Sequence, residues 1–244
     1  TATNSGGSDT ETKTDYINVP PPDVDVEISV FLEGPFNSGT MNTSLIPHLP
    51  LDQPYNMSPW FYSGTESVAA IPGADIVDWV LVELRDAPTA AEAIGSTVFD
   101  RQAAFLRSDG ILLDISGNTT LHFNSAVSGN LFVVIHHWNH LSIMSATSLV
   151  ESGGVYSYDF TTASEKAYGS AAQKLIGSSQ WGMYCGDGDH DGTIGAGDKS
   201  SLWEAHAGKS GFYSSDYNLD TQTNNIDKDD FWAPNIGEST QVPN

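Results

Sequence analysis

From Val24 onward apolar and polar positions alternate: Val24, Val26, Ile28, Val30 and Leu32 fall on one side, Asp25, Glu27, Ser29 and Glu33 on the other. A period of two predicts a half-buried β-strand, and Gly34-Pro35 closes it. Residues 76–84 are apolar at nearly every position, with Asp78 and Glu83 the exceptions. That pattern predicts a strand covered on both faces at the centre of a sandwich. Further strands are predicted at 97–106, 110–115, 119–124, 130–137, 141–147 and 155–161, with Asp109-Gly110 and Ser128-Gly129-Asn130 as turns. Strands this short and evenly spaced predict a mainly β chain built as an antiparallel β-sandwich. After Pro88, the Ala-rich stretch 89–94 reads as one short helix.

Three stretches interrupt the pattern. Residues 1–22 form an extended N-terminal arm in which Thr10, Thr12, Thr14 and Tyr16 alternate with Glu11, Lys13 and Asp15, followed by Pro20-Pro21-Pro22 as a stiff spacer. Residues 36–74 make a long, proline-punctuated loop carrying Trp60, Phe61 and Tyr62. Such aromatics pin a loop to a core or stack on sugar rings. Segment 162–181 is rich in Ala, Gly and Ser, yet too apolar at Leu175-Ile176 for a free linker. The domain reading is therefore an arm (1–22), a β-sandwich (23–161), a connector (162–181) and a small module with its tail (182–244).

That last module carries the clearest chemistry. Residues 187–198 read Asp-Gly-Asp-His-Asp-Gly-Thr-Ile-Gly-Ala-Gly-Asp, so carboxylates occupy the first, third, fifth and twelfth positions (Asp187, Asp189, Asp191, Asp198). Side chains two residues apart converge on one centre as such a loop coils, the seventh backbone carbonyl (Thr193) adds an oxygen, and Gly192 permits the turn. A second copy begins 29 residues on, with Asp216, Asn218, Asp220 and Asp227 at the same places, Gln222 seventh, and Thr221 where the turn glycine stood. The repeat extends beyond the ligands: Tyr184 matches Tyr213, Lys199 matches Lys228, and Trp203 matches Trp232. Two Ca2+ ions are expected. Without them, seven crowded carboxylates oppose folding of the module, so a chelator is expected to unfold 182–237 first.

The tandem loop, each copy leading into Asp-Lys and a short helix, resembles the dockerin repeats of secreted cellulosome-type proteins, over residues 182–237. The resemblance implies a small α-helical calcium module. At the positions where dockerins often carry partner-contacting hydroxyls, this chain has Ala196, Gly197, Asn225 and Ile226. Together with stretches 78–86 and 139–146, the repeat also resembles a family of large secreted Bacteroidota surface proteins that join a β-sandwich to a dockerin-type repeat. That likeness implies a secreted, cell-surface setting and brings no reaction with it.

Composition narrows the partners. The formal net charge is −22 with only 9 Lys and Arg, which disfavours nucleic acid and anionic membranes. Apolar runs such as 131–135 are too short to span a bilayer, and Cys185, the only cysteine, rules out an intrachain disulfide. Of His136, His137 and His140, adjacent histidines on a strand point to opposite faces, so at most one of the first two joins His140. No carboxylate neighbours them in sequence, and a turn held by hydrogen bonds is the simpler reading. His190 is expected to face solvent. No nucleophile elbow or phosphate loop occurs, and Asp78, Glu83, Asp86 and Asp114 form no evident acid–base pair. Asn42, Asn56 and Asn118 match the short glycosylation pattern, which is weakly specific.

The expectation is a non-enzymatic, calcium-stabilised extracellular protein. Its first form is a filament-forming homo-oligomer whose arm adds a strand to the next copy's sheet. Its alternative is a binding module for a polysaccharide or a protein.

Overall fold

The long apolar stretch becomes β6 (Ile76–Ala87), the axis of a five-stranded sheet. The computed structural model describes residues 2–4, 6–9 and 23–244. In chain order the strands are β1 (Ala2–Asn4), β2 (Gly7–Asp9), β3 (Val24–Ser29), β4 (Phe36–Asn37), β5 (Thr40–Met41), β6, β7 (Val98–Arg107), β8 (Leu112–Leu113) and β9 (Leu121–Phe123). There follow β10 (Asn130–His137), β11 (His140–Met144), β12 (Val150–Ser152), β13 (Val155–Asp159), β14 (Lys174–Leu175) and β15 (Trp181–Gly182).

The larger sheet runs β11-β10-β6-β7-β8 and the smaller β12-β13-β3-β9. Between them, alternate residues of β6 and β10 (Val80, Val82, Leu84, Val133, Ile135) meet Val24, Val26, Ile28, Leu121 and Phe123 in one buried core. The other face of β6 is covered too. Loop 42–75 folds over it, placing Tyr55 in the core with its hydroxyl donating to the Trp79 carbonyl (2.8 Å), while the Trp79 indole donates to the Pro50 carbonyl (2.9 Å). This coverage explains why β6 lacks polar alternation.

The smaller sheet departs from the antiparallel expectation: β13 runs parallel to β3, with Val155 opposite Asp25 and Asp159 opposite Ser29. More than a hundred residues separate the two strands, so no tight hairpin dictates their direction. Residues 89–94 contain a single three-residue helical turn, Ala90–Glu92. In the C-terminal region the helices are short: two wide-pitched segments, Asp198–Trp203 and Asp227–Trp232, the first continued by Glu204–His206. Of the N-terminal arm, Ala2–Asn4 pairs with Gly7–Asp9 as a hairpin. The Thr/Tyr alternation and the three prolines lie outside the described residues.

Candidate metal centre

The first loop gathers its odd-numbered carboxylates. One oxygen each from Asp187, Asp189 and Asp191 lies within 4.8 Å of the others. Asp187 is buried, whereas Asp189 and Asp191 are exposed, so the cluster has a floor and an open mouth. Local turns hold the side chains: Asp191 Oδ1 accepts from the Thr193 amide (2.8 Å) and Asp187 Oδ2 from the Gly192 amide (3.2 Å). Gly192 sits at φ +84, in left-handed backbone, and a Cβ there would lie 3.0 Å from Thr240 Cγ2.

Asp198, also expected as a ligand, lies outside that trio and knits the loop's backbone. Its Oδ1 accepts from the Gly188 (2.8 Å) and Asp189 (3.1 Å) amides, and its Oδ2 from Gly195 (2.7 Å). Asp227 repeats the arrangement in the second loop, accepting from Tyr217 (2.8 Å), Asn218 (3.2 Å) and Asn224 (2.8 Å). Each carboxylate has about four lone-pair sites and uses three, so acceptor capacity remains. In loop two, Asp216 accepts from the Asp220 (3.1 Å) and Thr221 (2.8 Å) amides, and Asn218 Nδ2 donates to Asp220 Oδ2 (3.1 Å). Thr221 holds φ +80, the conformation Gly192 adopts in loop one.

Crowding shows in the electrostatics. Burial, then the neighbouring Asp198, Asp191 and Asp189, push the Asp187 carboxyl up to about 8. Burial and Asp227 push Asp216 up to about 7, and burial pushes Asp227 up to about 6 despite three amide donors. Asp187 Oδ1 is buried with no hydrogen-bond partner among the described residues. An all-oxygen cluster with an orphaned inner oxygen and raised carboxyls fits a hard divalent cation. Such a cation would be held in loop one by Asp187, Asp189, Asp191 and the Thr193 carbonyl, and the corresponding groups in loop two are Asp216, Asn218, Asp220 and the Gln222 carbonyl.

The two repeats brace each other reciprocally. Gly192, Thr193 and Ile194 of loop one pair antiparallel with residues 237–240: the Ile194 amide donates to the Glu238 carbonyl, the Gly237 amide to Ile194, and the Thr240 amide to Gly192, each at 2.9 Å. Loop two pairs in the same way with 208–211, through Thr223 to Lys209 (3.0 Å), Gly208 to Thr223 (2.8 Å) and Gly211 to Thr221 (2.9 Å). In both, the carbonyls flanking the seventh position are taken by the partner strand, and no backbone amide among the described residues reaches the Thr193 or Gln222 carbonyl. The Gln222 carbonyl has only a long contact from Asn224 Nδ2 (3.4 Å). The indoles cross over likewise. Trp203 Nε1 donates to the Asn224 carbonyl (2.7 Å), and Trp232 Nε1 to the Gly195 carbonyl (2.9 Å). Each loop is thus walled by the other repeat. The sequence carries a signal for this: Gly208 and Gly237 share the 29-residue spacing, and both have positive φ.

A buried polar chain joins this region to the sandwich. His137 Nε2 donates to Asp78 Oδ2 (3.3 Å), which also accepts from the Trp138 indole (2.6 Å). His137 Nδ1 lies 3.0 Å from His140 Nδ1, which also lies 2.7 Å from Asn139 Oδ1. Asn139 Nδ2 then donates to the Asp216 carbonyl (2.8 Å) at the start of loop two. Burial, then His137, holds His140 well below the usual histidine range, so it is neutral. His137 is therefore the one that joins His140, and the missing carboxylate comes from Asp78, far away in sequence.

His190 does not face solvent as expected. It is half-buried with its ring 4.9 Å from Trp60, and burial pulls it down to about 4. Its backbone holds a positive φ of 63. Trp60 and Tyr62 are packed against the core, leaving Phe61 as the exposed member of that trio. The four acidic candidates are engaged structurally. Asp78 is in the polar chain, Glu83 is paired with Arg85 and Arg101, Asp86 accepts from Ser128 and Gly129, and Asp114 closes its own turn with Ser116 and Asn118.

No family model and no curated protein sequence matches this chain. Among solved structures it is similar to two crystal structures of type II cohesin–X–dockerin complexes from Acetivibrio cellulolyticus, one an N-terminal and the other a C-terminal interface mutant. The matched chains are 15% identical, with 89% of this chain and 97% of the other covered, at TM-scores of 0.42 and 0.44.

Proposed function

We propose that this chain is a non-enzymatic, calcium-stabilised extracellular binding module, in which each tandem loop holds one Ca2+ and the metal serves structure. The observation that carries this reading is the buried, unpartnered Asp187 Oδ1 at the base of a three-carboxylate cluster. An ionised carboxylate in that place needs a positive partner, and oxygen loops of this kind fill readily at the millimolar calcium found outside cells. Bound calcium would supply charge neutralisation and a coordination centre; the residues supply a preformed frame through Asp198 and Asp227. The division into arm, sandwich, connector and calcium module belongs to the same proposal.

A protein is the favoured partner. Ile226 and Ile236 are exposed on the second repeat, and Met57 and Phe61 are exposed on the loop that meets His190. With Trp60 and Tyr62 packed inward, the aromatic trio offers little flat surface to a sugar. Self-assembly through the arm concerns residues 1–22, of which only 2–4 and 6–9 are described, and no observation favours it over the binding module.

Isothermal titration with Ca2+, paired with melting in calcium and in EDTA, tests the metal reading. Two bound ions per chain and a fall in melting temperature on chelation are expected; absence of binding at millimolar calcium would refute it. Light scattering separates the module, expected as a monomer, from a filament.

A further inference from the structure

We infer that segment 237–243 is a calcium-gated strap, tying the first loop to the outer face of the five-stranded sheet and letting go when that loop is empty. The inference rests on the calcium reading of the loops and goes beyond it to a second surface.

The strap has two halves with different anchors. Its inner half, 237–240, is held by the antiparallel pairing to Gly192, Thr193 and Ile194. Its outer half lies on the sandwich. Thr240 Oγ1 donates to the Ser142 carbonyl (2.7 Å), Arg85 Nη1 donates to the Pro243 carbonyl (2.7 Å), and Val242 packs against the apolar cluster of Ala87, Ala93, Phe132, Val134 and Met144. In antiparallel pairing, successive carbonyls point to opposite sides. With Gly192 and Ile194 turned to the strap, the Thr193 carbonyl is turned into the loop as a metal donor. The same three residues therefore shape the cation site and seat the strap.

Removing the cation leaves the oxygens of Asp187, Asp189 and Asp191 crowded within 4.8 Å of one another with no positive centre to hold them there. As the loop opens, the inner anchors lose their register. Two hydrogen bonds and the packing of half-buried Gln241 (against Gly169), Val242 and Pro243 then remain to order seven residues, which the chain entropy outweighs. Release uncovers the Arg85 guanidinium and the apolar patch of Phe132, Val134 and Met144.

Coupling of this kind is reciprocal: whatever calcium contributes to docking, docking contributes to calcium affinity. Two measurements on the full chain test it. In hydrogen exchange read by mass spectrometry, peptides covering 192–194 and 237–243 are expected to exchange at least ~10-fold faster in EDTA than in calcium, while 130–137 does not change. Equal protection of 237–243 in both, in a protein that calorimetry shows to bind calcium, overturns the strap and leaves the metal reading standing. No calcium binding at all sinks both. The second measurement stays in calcium, so it decides even where chelation unfolds the chain. Thr240→Val with Val242→Ser, which removes sandwich anchors and touches no ligand, is expected to weaken one of the two sites ~10-fold and spare the other. Unchanged affinity at both sites overturns the proposal.

Discussion

Glu83→Gln would test whether the ion cluster under the strap stabilises the fold. Glu83 is 1% exposed on the outer face of the central strand. Its Oε1 accepts from Arg85 Nε (2.8 Å) and its Oε2 from Arg101 Nε (2.6 Å), with His136 Nε2 at 3.7 Å. Burial alone would raise this carboxyl, but the His136 contact and the two guanidinium groups hold it down at about 2, from 4.5. That gap corresponds to ~3 kcal/mol of folded-state stability at neutral pH. An independent route gives a similar size, since removing one partner of a buried pair costs ~3–5 kcal/mol. Gln keeps one acceptor, and Arg101, with 35% of its side chain exposed, is partly screened, so the lower end applies. Urea unfolding at pH 7 is therefore expected to show a loss of ~3 kcal/mol, a midpoint shift of ~1.5 M at a typical slope. The pH profile carries the sharper test. A depressed carboxyl gives stability that is present above pH 4.5 and lost as pH falls toward 2, so the wild type should decline more steeply over that window than the variant, in which Asp86 and Asp109 still titrate. A loss below ~1 kcal/mol, or parallel profiles across that window, would refute the reasoning.

Other outcomes follow from the same geometry. Trp203→Phe removes the indole donor to the Asn224 carbonyl and is expected to weaken calcium at loop two by ~5-fold, while Trp232→Phe does so at loop one. If each change instead affected the loop of its own repeat, the reciprocal brace would be wrong. Thr221→Gly relieves a left-handed β-branched residue and is expected to stabilise the calcium-loaded protein by up to ~1 kcal/mol in thermal melts, with Gly192→Ala destabilising it. His140 is buried and neutral with its pKa depressed, so its contribution is complete above pH ~6.5 and shrinks as pH falls below. His140→Gln is expected to flatten stability below that pH, read by denaturant unfolding.

Much of the sandwich was legible in the sequence because burial on one face of a strand imposes a period of two. The alternation from Val24 and the run at 76–84 both form the strands their patterns predict. The clustering in the first loop was legible for a different reason: local backbone turns make side chains two residues apart converge, so spacing alone brings Asp187, Asp189 and Asp191 together, while Asp198 lies outside that trio. Neither signal reports on partners distant in the chain. Only the tertiary structure set β13 parallel to β3, supplied Asp78 to His137, turned His190 onto Trp60, and crossed the repeats so that each loop is walled by the other's indole and tail. Those contacts join residues tens of positions apart. Local pattern records which side chains seek burial or charge, and chain packing selects which of the available partners they meet.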